Sequence, residues 1–489
     1  MVAMTFASDI PLALLFQRLS WPIGMVRWRA ARAIRELLAN EPTRTPATQA
    51  LLSFLKGRRT ESEVCSILSV LTVTNEKHRP DIDDVVGRIG CPSILADVLL
   101  DSLYGEGAAL GGWETAHSGD PPLGFQPDAY FMEQKGAHLP PNFYNRLIRL
   151  ERNTGLPFVD QWAWEWQSLC AALGTKFTRY ANYFGDVSEA RAGIVGQYHQ
   201  RQTEVFRSAF IRTFAYAVTT WGMPLESAVG YLIDHVPAVG GLFDLELNRK
   251  PDCLGNIPAL CVKEHSDLKG IVAEWVRENR LKDMPCVSLV SPLPAEEARY
   301  GDVYLGAFLV TPDFELRDDR GLFEPMTLTQ LGTRLSVDGF IQDIELAELK
   351  ENGKVGWAAP VCSSLLSKPY GYWTADLFSI GMPVVAPYCL PGPARIRAAD
   401  GTLRLVDREA TLASTLLWND VWTPNHPKGG STRCGAVAQL SRKLFCALPG
   451  SVDADLKLAW FIQTRVWKRE KYGDFELIER RDLVLDEAI

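Results

Sequence analysis

Residues 9–40 read DIPLALLFQRLSWPIGMVRWRAARAIRELLAN, and the apolar spacing in this stretch predicts two short helices joined by a tight turn. Asp9 stands where its carboxylate can cap a first helix with apolar positions Leu12, Leu14, Leu15 and Leu19. Pro22 opens the second helix, since a proline's missing N–H goes unused in a first turn. There Val26, Ala30, Ile34, Leu37 and Leu38 recur at helical spacing and make one apolar stripe. Arg29, Arg32 and Arg35 project from the opposite side, and Asn40 and Pro42 end the helix.

The pattern continues outward from this hairpin. Residues 46–57 and 60–72 form a second predicted pair, with Leu51, Leu52 and Leu55 facing Val64, Ile67 and Leu71. Residues 81–89 and 92–104 form a third, which buries Ile94, Leu95, Val98 and Leu99. Such hairpins cannot cover their apolar faces alone, so stacking stabilises them. The paired helices at 9–39, with Val26-Arg27 followed by Ala30-Ala31, Ile34 and Leu37, resemble a HEAT repeat, in which Pro11 takes the place of the first-helix proline. The resemblance implies a stack of antiparallel helices whose outer face receives another protein.

The rest of the chain changes texture twice. Residues 105–128 hold six Gly and three Pro and read as a linker or long functional loop. Helical periodicity returns at 141–152, 157–173, 200–221, 224–236 and 266–280. The segment Val205–Thr219 is apolar on nearly every side, interrupted mainly by Arg207 and Arg212, as in a helix buried mid-domain. Cys286–Val290, Val303–Val310 and Thr411–Trp422 are strand-like. Asp400-Gly401 joins a predicted hairpin of 395–398 and 402–406. Leu458–Trp467 and Phe475–Leu485 form a closing pair of strands, and one amphipathic helix is expected at about 434–447. The predicted fold is mainly α with an α+β C-terminal domain. It comprises HEAT-like α-hairpins over 1–104, a Gly/Pro-rich linker or loop over 105–139, a central helical domain over 140–282, and an α+β domain with a mixed or antiparallel sheet over 283–489.

Charge is unevenly spread. Residues 1–60 carry nine basic side chains against three acids, leaving −14 on the remainder of a chain whose formal charge is −8. A basic head on an acidic body points to an acidic partner, a second copy or nucleic acid. The ten cysteines include no C-x-x-C pair and read as thiols of a reducing compartment, without a structural metal site. The N-terminus shows no secretory pattern, and the uncharged run Leu377–Ala394 contains four prolines, so a soluble, cytoplasmic chain without membrane insertion is expected.

Four groups of residues are candidates for chemistry. Arg29, Arg32 and Arg35, with Trp28 beside them, can meet phosphates or an acidic protein face; the same stripe also reads as a solvated helix surface. Lys428, Gly429, Gly430, Ser431, Thr432 and Arg433 can cradle an anion at a helix start, or form an ordinary capped loop. Asp338, Asp343, Glu348 and Lys350 resemble the Asp…Glu-x-Lys metal core of restriction-type nucleases, although Glu351-Asn352-Gly353 reads as an exposed turn. Phe158, Trp162, Trp164, Trp166, Phe177, Tyr180, Tyr183 and Phe184 form an aromatic cluster that lines either a groove or a core, and Glu165 lies within it.

No G-x-S-x-G or H-E-x-x-H motif accompanies the seven scattered histidines, and no cofactor is implied. The leading expectation is a non-catalytic interaction or sensor/adaptor subunit that binds another protein or sister subunit. A repeat head on such a body is similar in layout to accessory subunits of bacterial defence complexes. The alternatives are a metal-dependent nuclease or hydrolase in the C-terminal domain, and nucleic-acid binding through the basic N-terminal region.

Overall fold

The computed structural model describes residues 12–20, 24–126, 141–174, 202–233, 236, 249–263, 266–296, 299–312, 332–333, 335–341, 358–365, 383–399, 402–408, 410–419, 434–452, 456–469 and 475–486. They fall into two compact units, one holding the described residues of 1–243 and 336–338, the other all the remaining described residues. The expected boundaries at 104/105 and 139/140 lie inside the first unit, and that at 282/283 lies inside the second.

The first unit is helical. Its elements are α1 (Leu12–Gln17), α2 (Gly24–Ala39), α3 (Glu41–Lys56), α4 (Glu61–Thr72), α5 (Ile82–Val86), α6 (Ile94–Tyr104), α7 (Pro141–Thr154), α8 (Phe158–Leu173), α9 (Gln202–Trp221) and α10 (Leu225–Ile233). The inner stripe of α2 is sealed at Ala30, Ala31, Ile34 and Leu38. On the short α1 the expected stripe is corrected: Leu14 is exposed, while Phe16 and Leu19 are buried. The chain leaves α1 through a tighter turn, and Phe16 packs on the Phe54 ring at 5.8 Å. Helix α3 touches α4, as its leucines predict, but α4 shows its larger faces to α6 and α9. Ser93 caps α6 by accepting from the Ala96 N–H.

Helices α8 and α9 form the centre of this unit. Trp162 stacks on Trp166 at 5.5 Å and lies against Phe206, and Phe210 stacks on Phe143 at 4.6 Å. The described aromatics Phe158, Trp162 and Trp166 are therefore core.

The second unit is built on one antiparallel sheet. Its strands run β12 (Phe475–Asp486), β11 (Lys457–Arg469), β2 (Arg299–Val310), β1 (Cys286–Glu296), β10 (Cys434–Leu440), β9 (Ala410–Asn419), β8 (Thr402–Asp407) and β7 (Arg395–Ala399), and β4 (Ala358–Pro360) also pairs with β2. A small second sheet joins β3 (Gly332–Thr333), β5 (Cys362–Leu365) and β6 (Pro383–Val385). The expected β7–β8 hairpin and the closing β11–β12 pair are both present. Helices α11 (Ile257–Val262) and α12 (Leu268–Asn279) cover part of one face, where Trp275 meets Trp460 edge-on at 5.8 Å. Helix α13 (Arg442–Val452) follows β10.

One expectation is overturned here. The helix predicted at about 434–447 is a strand over 434–440, and the helix begins only at Arg442. The small apolar run Cys434-Gly435-Ala436-Val437-Ala438 fits helix and strand alike, and it pairs on both sides, with β1 and β9. Gly435 admits a close approach: a Cβ there would lie 2.3 Å from the Trp418 ring.

Candidate functional site

Helix α2 carries the basic edge. Arg29 is exposed, and Arg32 and Arg35 are half-buried on the side away from Ala30 and Ile34. The Trp28 side chain lies outside the described residues. The surplus positive charge of the head is partly consumed within the fold. Arg27 is buried and pairs with Glu204 at 2.8 Å. Arg58 pairs with Glu63 at 3.0 Å and lies over the Phe54 ring at 3.7 Å. Arg44 donates to the Leu38 and Ala39 carbonyls, so a cation caps the C-terminus of α2.

Beneath that edge runs a buried ionic cluster. Glu204 takes Arg27 and Arg207, and accepts from the Ser62 hydroxyl. The Ser62 N–H donates to Ser208 Oγ at 3.1 Å, and Arg212 pairs with Glu61 at 2.6 Å. Burial raises the Glu61 pKa, opposed by the adjacent Arg212 guanidinium. Arg207, a rare interruption in an apolar segment, is wholly buried.

The polar positions of α9 follow a rule that no inspection of apolar periodicity would isolate. Glu204, Ser208, Arg212, Tyr216 and Thr220 recur at i+4 steps and make one polar ridge along a mainly apolar helix. Its first half meets α2 and α4. Its second half meets the Gly/Pro-rich segment 105–126, which is a docked loop.

That loop is fastened by His117-Ser118-Gly119-Asp120. The Ser118 N–H donates to both oxygens of buried Glu165, at 2.9 and 3.0 Å, and the Ser118 hydroxyl donates to Oε2 at 2.7 Å. Gln161 adds a bond to Oε1 and holds the Gly119 carbonyl, and the Trp164 indole N–H donates to the Ser118 carbonyl. Gly119 sits at φ +70°, a left-handed conformation that suits glycine. Burial raises the Glu165 pKa, while its Ser118 bonds pull it down. The Tyr216 hydroxyl donates to Asp120, and burial with that carboxylate pushes its pKa up to about 12.

His117 lies edge-on to Tyr216, with Gly119 N–H bonded to Nδ1 at 3.1 Å and Thr219 Oγ1 3.2 Å from Nε2. Accepting at Nδ1 puts the proton of the neutral ring on Nε2, so the ring donates to Thr219. Burial holds the His117 pKa below its usual value, and Arg212 adds to this. In this arrangement the Ser118 hydroxyl is committed to Glu165 and the imidazole faces Thr219 as a donor. The cluster is built to fix a loop rather than to activate a nucleophile.

The other sequence candidates fall elsewhere. The anion loop Lys428–Arg433 lies outside the described residues, as do Asp343, Glu348 and Lys350. Asp338 is exposed and accepts from the Ser102 hydroxyl. Phe177, Tyr180, Tyr183 and Phe184 are outside the described residues too. No described helix is long and apolar enough to cross a membrane. The chain matches no protein-family model, and no curated protein is similar to it in sequence.

Proposed function

We propose that the chain is a non-catalytic interaction subunit whose HEAT-like N-terminal helices present Arg29, Arg32 and Arg35 to an acidic face of another protein. The observation that carries the reading is the division of labour on α2. Its inner stripe is sealed in the core, and its buried Arg27 is tied to Glu204, 177 residues away. Arg29, Arg32 and Arg35 stand on the outer side of a helix so anchored. A fixed basic edge loses little conformational entropy on binding, and it steers an acidic partner at long range.

The test is native mass spectrometry of the full chain after mild affinity purification, beside an Arg29→Glu/Arg32→Glu/Arg35→Glu variant. A protein mass that falls away with salt, survives nuclease treatment and is missing from the variant supports the reading. Equal capture by the folded variant overturns it. Bound material that nuclease removes replaces it with nucleic-acid binding, whose affinity should fall steeply with salt.

A further inference from the structure

The two halves of the docked loop are held by unlike chemistry. The first half is pinned by carboxylates of α6 that receive backbone N–H groups: Asp97 takes Leu110 and Gly111, and Asp101 takes Ala109, each at 3.0 Å. After Gly112, at φ +82°, the second half runs over α8 and α9. Ser118 lies there on Glu165, Asp120 on the Tyr216 hydroxyl, and Phe125 edge-on to Trp164 at 5.2 Å. His117 shapes this half. Its Nδ1 receives the Gly119 N–H and closes the turn that carries Ser118 onto Glu165.

The ring can carry one proton in this arrangement, not two. The Thr219 hydroxyl donates to the Ala215 carbonyl at 3.0 Å, which leaves its oxygen to accept from Nε2–H. A second proton has to enter at Nδ1, where the Gly119 N–H already points, and two donors then face each other. We propose that His117 is an acid-sensitive clasp: protonation at Nδ1 breaks the turn at Gly119 and releases residues 113–126 from α8 and α9, uncovering Trp164, Glu165 and Tyr216.

The surroundings of the ring act on that proton in both directions. Burial and Arg212 of α9 oppose it, while the Glu114 carbonyl and the Asp120 carboxylate of the loop favour it, and the balance holds the pKa below its ordinary 6.5. Tyr216, also on α9, keeps its proton, with a pKa pushed up to about 12. A histidine whose pKa is lower in the closed loop than in the open one favours closure above pH 6.5, and that contribution is lost as pH falls toward the closed-loop value. Glu165 of α8 pulls the other way: burial raises its pKa, so its own contribution to closure is lost as pH rises. Chains that differ only at position 117 share the Glu165 contribution, and their difference isolates the clasp.

The experiment is amide hydrogen exchange of the full chain, read by mass spectrometry over 113–126 and corrected for the intrinsic rate at each pH, on the wild type and His117→Asn. The asparagine places a non-titrating amide oxygen where Nδ1 stands. From about pH 7.5 to about pH 5.5, protection of this segment in the wild type should fall severalfold relative to the variant. An identical pH response in both chains, or a wild type that gains protection on the variant as pH falls, overturns the proposal. Should the variant fail to fold, the imidazole resonance of His117 in the wild type decides. It must titrate below pH 6.5, and a midpoint at or above that value overturns the clasp.

Discussion

The helical unit and the sheet unit solve the same problem, burial of polar groups, in different ways. Among the described residues, every charged side chain that is essentially buried lies in the helical unit: Arg27, Glu61, Asp97, Glu165, Glu204 and Arg207. The buried polar residues of the sheet unit are neutral, such as Asn279, Ser288, Ser291, Thr415, Gln463 and Thr464. Helices satisfy their own backbones, so contacts between them are made by side chains alone, and long charged groups can span the gap. Strands leave N–H and C=O groups to be met by neighbours, and short neutral side chains serve where the ladder is interrupted. Asn279 illustrates this by bonding both the N–H and the C=O of Cys286, each at 2.8 Å, at the irregular start of β1. The contrast makes the helical unit the more sensitive of the two to charge and pH.

The largest effect is expected where a buried charge loses its partner. Glu204→Ala leaves Arg27 and Arg207 in the core without their shared carboxylate, and should cost about 3–5 kcal/mol in urea unfolding. Arg27→Met/Glu204→Met, which removes both ends of the pair, should recover part of that loss. If the single and double variants are equally unstable, the charge account of this core fails.

In the sheet unit the sensitive positions are steric. Gly435→Ala drives a methyl into Trp418 and toward the Val290 carbonyl, and should destabilise by about 1–3 kcal/mol. An unchanged melting temperature would show that the strands separate at no cost, and would weaken the contrast.

The pH response should come from the helical unit. Burial raises the folded pKa of Glu165 above the ordinary value of 4.5, so the folded chain holds this proton more tightly than the unfolded chain. Its contribution is therefore largest below pH 4.5 and is lost as pH rises toward the folded pKa. Glu165→Gln removes the titration, so the variant should gain on the wild type in melting temperature across that window. A constant difference at every pH would place Glu165 in ordinary solvent.

The smallest effect is local. Ser118→Ala deletes one hydroxyl bond and keeps both N–H bonds to Glu165, so global stability should drop by about 1 kcal/mol. Limited proteolysis should then cut faster within 105–126, because the loop opens without the domain unfolding. Unaltered cleavage would mean that the backbone bonds alone hold the loop.

Most of the elements were legible in the residue pattern, because periods of 3.6 and 2 are local properties of the chain. The stripe of α2, the helices at 141–154 and 158–173, and the final strand pair all followed from it. The pattern was silent where two periods fit equally. Small residues such as those at 434–438 suit either conformation, and flanking strands from distant sequence choose between them. The candidate site was legible only in its outer part, the arginines on one side of a helix. Its supports join positions 47 residues apart, as in Ser118 with Glu165, or 142 apart, as in Ser62 with Glu204. A side chain's partner at such range is set by how helices stack, and so is the protonation that burial imposes. Neither is written in the neighbours along the chain.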